Sequence, residues 1–333
     1  MFRPVPAVLM LLSIPPTLAI TGDAAMAESA ATPSVASSPS RGEGSSGAPK
    51  MSGLHVAVAG RQIELGWTAP DSGSGLTSAR LLRKLDADPG GPTDTAATLV
   101  YSGAAHTAAD ALTALLPSTT ETARVYHYAV YGCDADSHCE ASGSHATLAP
   151  SLVQVLKAGG YVLHWRHATA DVCVDRIQLG TAAHTSTRDW WKSCNSDCAT
   201  ATARQLNPTG RTEAAGIGHA FTTLGIPVGR VRASEFCRTN QTATQMAFGP
   251  VIEQSRELTY FVYDETSRCR NTHAMLAEAP APGTNTALIG HSNELCPSLP
   301  TLAWGEAAIY KPDGNGGATY IDRVTADAWL SLP

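Results

Sequence analysis

Arg166 and His167 stand side by side at the end of a short apolar run that begins at Tyr161, behind the pair Gly159-Gly160. An arginine brings a permanent positive charge and a planar fork of donors suited to phosphate oxygens. A neutral imidazole can attack phosphorus and carry it as a covalent intermediate. Two further residues extend the set. Arg238 lies within Ser234-Glu-Phe-Cys-Arg238-Thr-Asn-Gln-Thr242-Ala243, and His291 closes the segment Asn285-Thr-Ala-Leu-Ile-Gly-His291. Metal chemistry is not expected. His164 and His167 are three apart, and on a strand such residues point to opposite faces. Cys194-Asn-Ser-Asp-Cys198 has no second Cys or His pair at zinc-site spacing.

The elements around these residues must deliver them to one place. Tyr161 to His164 reads as a buried strand, preceded by a short helix over 151–158 that Gly159 stops. After a long polar stretch, 172–207, a second helix is expected with Thr209 as its N-cap and Ala214, Ile217, Phe221 and Leu224 as its apolar stripe. Gly225 ends it. Ile226 to Ala233 is then a strand that delivers Ser234, and Arg238 opens the next helix, a place that favours oxyanions. Thr286 to Ile289 is a further buried strand, with His291 emerging after Gly290. A hairpin around Asp313-Gly314 follows. Alternating strands and helices predict an α/β fold, in which charged groups at the carboxyl ends of strands sit where ligands bind.

Together these stretches resemble the histidine phosphatase superfamily over about residues 152–333. The matching residues are Arg166-His167, then Leu206, Gly210 and Ala214, then Ser234, Arg238, Thr242 and Ala243, then the strand ending at His291. The resemblance implies a mostly parallel sheet flanked by helices. It also implies hydrolysis of small phosphate monoesters without metal or cofactor. His167 would be the nucleophile, and Arg166, Arg238 and His291 would bind the phosphoryl group. Two positions depart from the family. Ala168 replaces a glycine and would crowd the backbone near phosphate, and Ser292 follows His291 where one branch has an acid. The general acid is left open among Glu253, Glu257, Asp264, Glu265 and Glu294. Two rival readings stand beside the hydrolase: a phosphomutase, and a non-catalytic protein that binds a phosphate ester or a surface ligand.

The rest of the chain sets the context. Charged residues are only 16% of the 333 and the net charge is −6, which argues against a general nucleic-acid binder. Residues 1–27 read as a secretory signal, with Arg3, an apolar run from Val8 to Ile20 and Ala25-Met26-Ala27 as cleavage site. Residues 28–50, rich in Ser, Ala, Gly and Pro, read as a flexible linker. Residues 51–150 alternate in the manner of an all-β sandwich, with Ile63, Leu65 and Trp67 in one strand and Tyr126, Tyr128 and Val130 in another. That region resembles a fibronectin type III domain, and its expected role is as a spacer or a contact to a surface or carbohydrate. Residues 151–333 form the second domain. The eight cysteines are an even set, so disulfides are expected, with Cys133 and Cys139 closing one short loop. A secreted or periplasmic location follows from the signal and the cysteines.

Overall fold

The computed structural model describes residues 47–173, 175, 189–192, 194–195, 197–198, 203–259, 262–263, 266–293 and 296–331. The expected signal segment and most of the expected linker lie outside these residues. The alternating apolar pattern of the first part makes seven strands. They are β1 (Ser52–Ala59), β2 (Gln62–Thr68), β3 (Ser78–Leu85), β4 (Thr98–Gly103), β5 (Thr107–Ala111), β6 (Tyr126–Cys133) and β7 (Ser144–Leu148). They form two antiparallel sheets, ordered β1-β2-β5 and β4-β3-β6-β7. Ile63, Leu65 and Trp67 from one sheet and Leu81, Tyr128 and Val130 from the other are buried in one core. Cys133 and Cys139 are disulfide-bonded, as the short loop predicts.

A second architecture begins at Ser151, which caps α1 (Leu152–Ala158) through a reciprocal bond with Gln154. Then come β8 (Val162–Arg166), α2 (Pro208–Leu224), β9 (Val228–Ser234), α3 (Cys237–Met246) and β10 (Ile252–Ser255). The chain continues through α4 (Arg268–Leu276), β11 (Asn285–Gly290), β12 (Ala307–Pro312), β13 (Ala318–Val324) and α5 (Ala326–Leu330). The six strands form one sheet, ordered β10-β9-β11-β8-β12-β13. Residues alternate between its faces. Leu163, Trp165, Ala287, Ile289 and Ile309 join the core that also holds Ile217, Phe221, Met246 and Trp329 from α2, α3 and α5. Val162, Leu288, Ala308 and Tyr310 pack on the other side with Met275 and Leu276 of α4. Under β8, Trp165 meets Phe221, Phe248 and Trp329 with ring centroids 5.6–6.3 Å apart. Each such side chain contributes roughly 2–3 kcal/mol by leaving water, so the strand that carries Arg166 is firmly seated.

Two expectations are corrected. The sheet is mixed: β10, β9, β11 and β8 run parallel, whereas β12 pairs antiparallel with β8 and β13 with β12. With the sheets of the expected sandwich antiparallel as well, the chain as a whole is a mixed α/β protein. The physical reason is the hairpin at the end of the chain, which returns along β8 and extends the sheet without a crossover. The second correction is the N-cap of α2. Asn207 caps it, its side chain accepting from the Gly210 N–H at 2.7 Å, with Pro208 at the first helical position. Asparagine before proline is a stronger start than the threonine further in.

The two architectures share one core. Leu112 and Leu115 of the first pack in the same cluster as Val155, Leu156 and Tyr161 of the second. The Tyr161 hydroxyl donates to the Leu115 carbonyl at 3.0 Å, and Lys311 Nζ donates to the same carbonyl at 3.0 Å. Residues 47–333 thus form one compact unit. No helix among the described residues is long and apolar enough to cross a membrane.

Candidate active site

Parallel pairing of β8 with β11 and of β11 with β9 brings three strand ends together. The His167 N–H donates to the Gly290 carbonyl at 3.0 Å, which sets the ends of β8 and β11 side by side. The imidazoles of His167 and His291 then face each other edge on, 5.5 Å between centroids. Arg238, at the start of α3 after β9, reaches into the same place: its Nε donates to His167 Nε2 at 3.1 Å. Three of the four expected site residues are therefore in one cluster, and all three are buried. Arg166, half-buried at the end of β8, completes it from the side of β12. Its Nη1 donates to the Leu302 carbonyl at 2.9 Å and its guanidinium faces the Trp304 ring at 5.6 Å.

The hydrogen bonds define the state of His167. Its Nδ1 lies 2.8 Å from the Ala168 carbonyl oxygen, which can only accept. Nδ1 therefore carries the proton, and Nε2 presents its lone pair to Arg238. Burial, then the charge of Arg238, holds the imidazole well below its ordinary pKa, so it is neutral at pH 7. The same two causes lower His291, with His167 itself adding to them. Burial pulls Arg238 down to about 10, still charged at neutral pH, with Asp175 opposing the shift. Arg238 also lies over the Phe236 ring at 4.2 Å. A buried guanidinium costs several kcal/mol of desolvation, and here a carboxylate and an aromatic face offset part of it.

The segment Ser234–Ala243 does more than carry an arginine. Ser234 Oγ lies 2.8 Å from His291 Nε2, and Thr242 Oγ1 accepts the Ala168 N–H at 3.1 Å. One turn and a half of chain thus touches His291 through Ser234, His167 through Arg238, and the residue after His167 through Thr242. A fourth support comes from α2. Glu213 accepts from the Thr169 N–H at 3.0 Å and from its hydroxyl at 2.8 Å. Gly210 is needed beside it, because a Cβ there would stand 2.1 Å from the Thr169 carbonyl oxygen. These roles were not visible in the sequence, although Ser234, Thr242 and Gly210 all lie in stretches that stood out. Ala168, which stands where the family has a glycine, is fully buried in the apolar core.

The carboxylates sort differently from the expectation. Glu253 is exposed on β10 and pairs with Arg230 at 2.7 Å and Arg232 at 3.4 Å. The bond from Arg230 lowers its pKa, the wrong direction for an acid. Glu257 is exposed and accepts from Ser255 Oγ at 2.9 Å. Asp264, Glu265 and Glu294 lie outside the described residues. Among the described residues, the carboxylate in contact with the cluster is Asp175, 3.4 Å from Arg238 Nη1. Among the described residues Cys269, His273 and Cys296 offer ligand atoms within 4.8 Å of one another, but the two sulfurs are bonded together and supply no thiolate.

No family model matches this chain and no curated protein matches it. Several solved structures are similar to about half of it. The protein histidine phosphatase SixA complexed with tungstate is 18% identical over 50% of this chain and 97% of that one, with a TM-score of 0.34. The mycobacterial glucosyl-3-phosphoglycerate phosphatase Rv2419c with inorganic phosphate is 11% identical, covering 52% and 99%, at a TM-score of 0.34. The open reading frame Rv3214 from Mycobacterium tuberculosis is 14% identical, covering 50% and 98%, at 0.33.

Proposed function

We propose that this chain hydrolyses small phosphate monoesters through a phosphohistidine on His167. The observation that carries the reading is the fixed tautomer: Nδ1–H is held by a backbone carbonyl, and the Nε2 lone pair faces the Arg238 guanidinium. Nε2 attacks phosphorus in line and the bond from phosphorus to the ester oxygen breaks. Arg166 and Arg238 take the equatorial oxygens, with Arg238 Nε turning from the imidazole to the phosphoryl group, and His291 adds a further hydrogen bond. A carboxylic acid gives its proton to the leaving alkoxide and then takes one from the attacking water; Asp175 is the carboxylate that touches the cluster among the described residues. The bond from phosphorus to nitrogen breaks, and its electron pair returns to Nε2. No step requires a metal.

The sandwich supports a fibronectin type III reading through its three- and four-stranded sheets, and the change of architecture at Ser151 supports 51–150 and 151–333 as the two domains. We also propose export, because all eight cysteines are paired, Cys173 with Cys198 and Cys194 with Cys237 completing the set. The test is para-nitrophenyl phosphate in EDTA, with acid quench of a labelled ester. Turnover with label on His167 is expected. Label on another residue overturns the nucleophile, dependence on a bisphosphate primer favours a mutase, and tight phosphate binding without turnover favours a binder.

A further inference from the structure

We propose that Trp304 is the wall of a leaving-group subsite, and that the preferred esters carry a flat aromatic ring on the phosphate. The inference rests on the phosphatase reading above and adds the class of substrate. Trp304 is 37% exposed, one of few large apolar side chains facing solvent among the described residues. It does not sit on a loose loop. The Ala303 N–H donates to Glu306 Oε2 at 2.7 Å, and the Glu306 N–H returns to the Ala303 carbonyl at 3.2 Å. The turn is then tied to the two residues that would hold phosphate. The Gly305 N–H donates to the His167 carbonyl at 3.1 Å, and the Arg166 N–H donates to the Glu306 carbonyl at 3.0 Å. Gly305 takes φ +68 to make this turn, with Ala326 packed 2.9 Å from where a Cβ would be. The indole is thereby fixed 5.6 Å from the guanidinium of Arg166.

An exposed indole forfeits burial, and the turn closes through backbone and Glu306 without it. Its position explains the exposure. A phosphoryl group on Arg166 directs its ester substituent along the same rim, where the indole offers a rigid apolar face. Aromatic rings stack on such a face with little entropy lost, whereas a short acyclic alcohol covers too little of it.

The competing role, shielding of Arg166 by cation–π contact, would act on every phosphate ligand alike. The full chain is therefore tested with three competitive inhibitors, phenylphosphonate, cyclohexylphosphonate and methylphosphonate, against wild type, Trp304→Ala and Trp304→Phe. Trp304→Ala should weaken phenylphosphonate about tenfold more than methylphosphonate, with cyclohexylphosphonate following methylphosphonate and Trp304→Phe staying within about threefold of wild type. In turnover, the kcat/KM ratio of phenyl phosphate to glycerol phosphate should fall by the same factor, through KM. Equal weakening of all three phosphonates, or none, overturns the subsite. Cyclohexylphosphonate tracking phenylphosphonate overturns the aromatic preference. If wild type hydrolyses neither ester, the phosphatase reading fails, while phosphonate affinities read directly by titration calorimetry still decide the subsite. Trp304→Gln provides the same comparison if the alanine variant does not fold.

Discussion

The sandwich and the α/β part are built from one chain and share one core, yet they bury polar groups very differently. In the sandwich, Glu140 is the buried charged side chain, and it accepts backbone N–H groups from Met51 at 2.7 Å and Gly132 at 3.3 Å. Its histidines, His55, His106, His127, His138 and His145, all retain contact with solvent. The α/β part buries His164, His167, Ser234, Arg238, Thr239, Thr242 and His291. Except for His164, these gather at three adjacent strand ends. Burying ionisable groups costs stability that an apolar substitute would not. A region that needs only to stay folded avoids the cost, so the concentration of such groups supports the strand ends as the proposed site.

The sharpest way to break the contrast is to remove one imidazole from each side. His167→Ala should lower kcat by roughly 10⁴-fold or more, whereas His106→Ala in the sandwich should leave it unchanged, both read by steady-state kinetics with circular dichroism to confirm folding. Next come the groups proposed to bind the phosphoryl oxygens. Arg238→Lys and His291→Ala should each cost about 10²–10³ in kcat/KM, and the double variant should cost less than the product, because both act on one phosphoryl group. Near-wild-type rates for both would show that the strand ends do not form one site.

The response to pH is a smaller effect with a fixed sign. Burial and Arg238 hold the His167 pKa below 6.5, so its neutral, nucleophilic form persists as pH falls from 7 to 6.5. A kcat/KM profile should therefore lose activity only as pH drops through the depressed value. Stability follows the same direction: the unfolded chain binds protons on His164, His167 and His291 below about 6.5 that the folded chain refuses, so Tm should decline from pH 7 to pH 5. A Tm that rises on acidification would contradict the buried neutral histidines. The smallest change expected is for Glu253→Gln, which removes an exposed partner of Arg230 and Arg232. Activity should stay within about twofold and stability within about 1 kcal/mol.

Arg166, His167, Arg238 and His291 were legible because each sits at a change from apolar strand to polar residues, which a linear pattern displays. The strands and helices that carry them were legible for the same reason. Asp175 was not, because its contact with Arg238 joins residues 63 apart across a polar stretch without periodicity. The partnership of Ser234 with His291 is likewise a product of strand order, since β11 enters between β8 and β9 late in the chain. The antiparallel hairpin was visible, but not that it would lie against β8 and convert the sheet to a mixed one.

Cys237 is the first residue of α3, next to Arg238, and its bond to Cys194 ties that helix to the segment holding Trp190 and Trp191. How the protein is produced therefore bears on what is measured. Material made in a reducing cytosol, or stored in millimolar thiol, would have the helix start, with Phe236 as its N-cap, untethered from Trp190, whose ring centroid lies 5.7 Å from that of Phe236. Oxidative refolding or periplasmic expression belongs in the first preparation, and a side-by-side assay with and without dithiothreitol would report on the loop as much as on the chemistry.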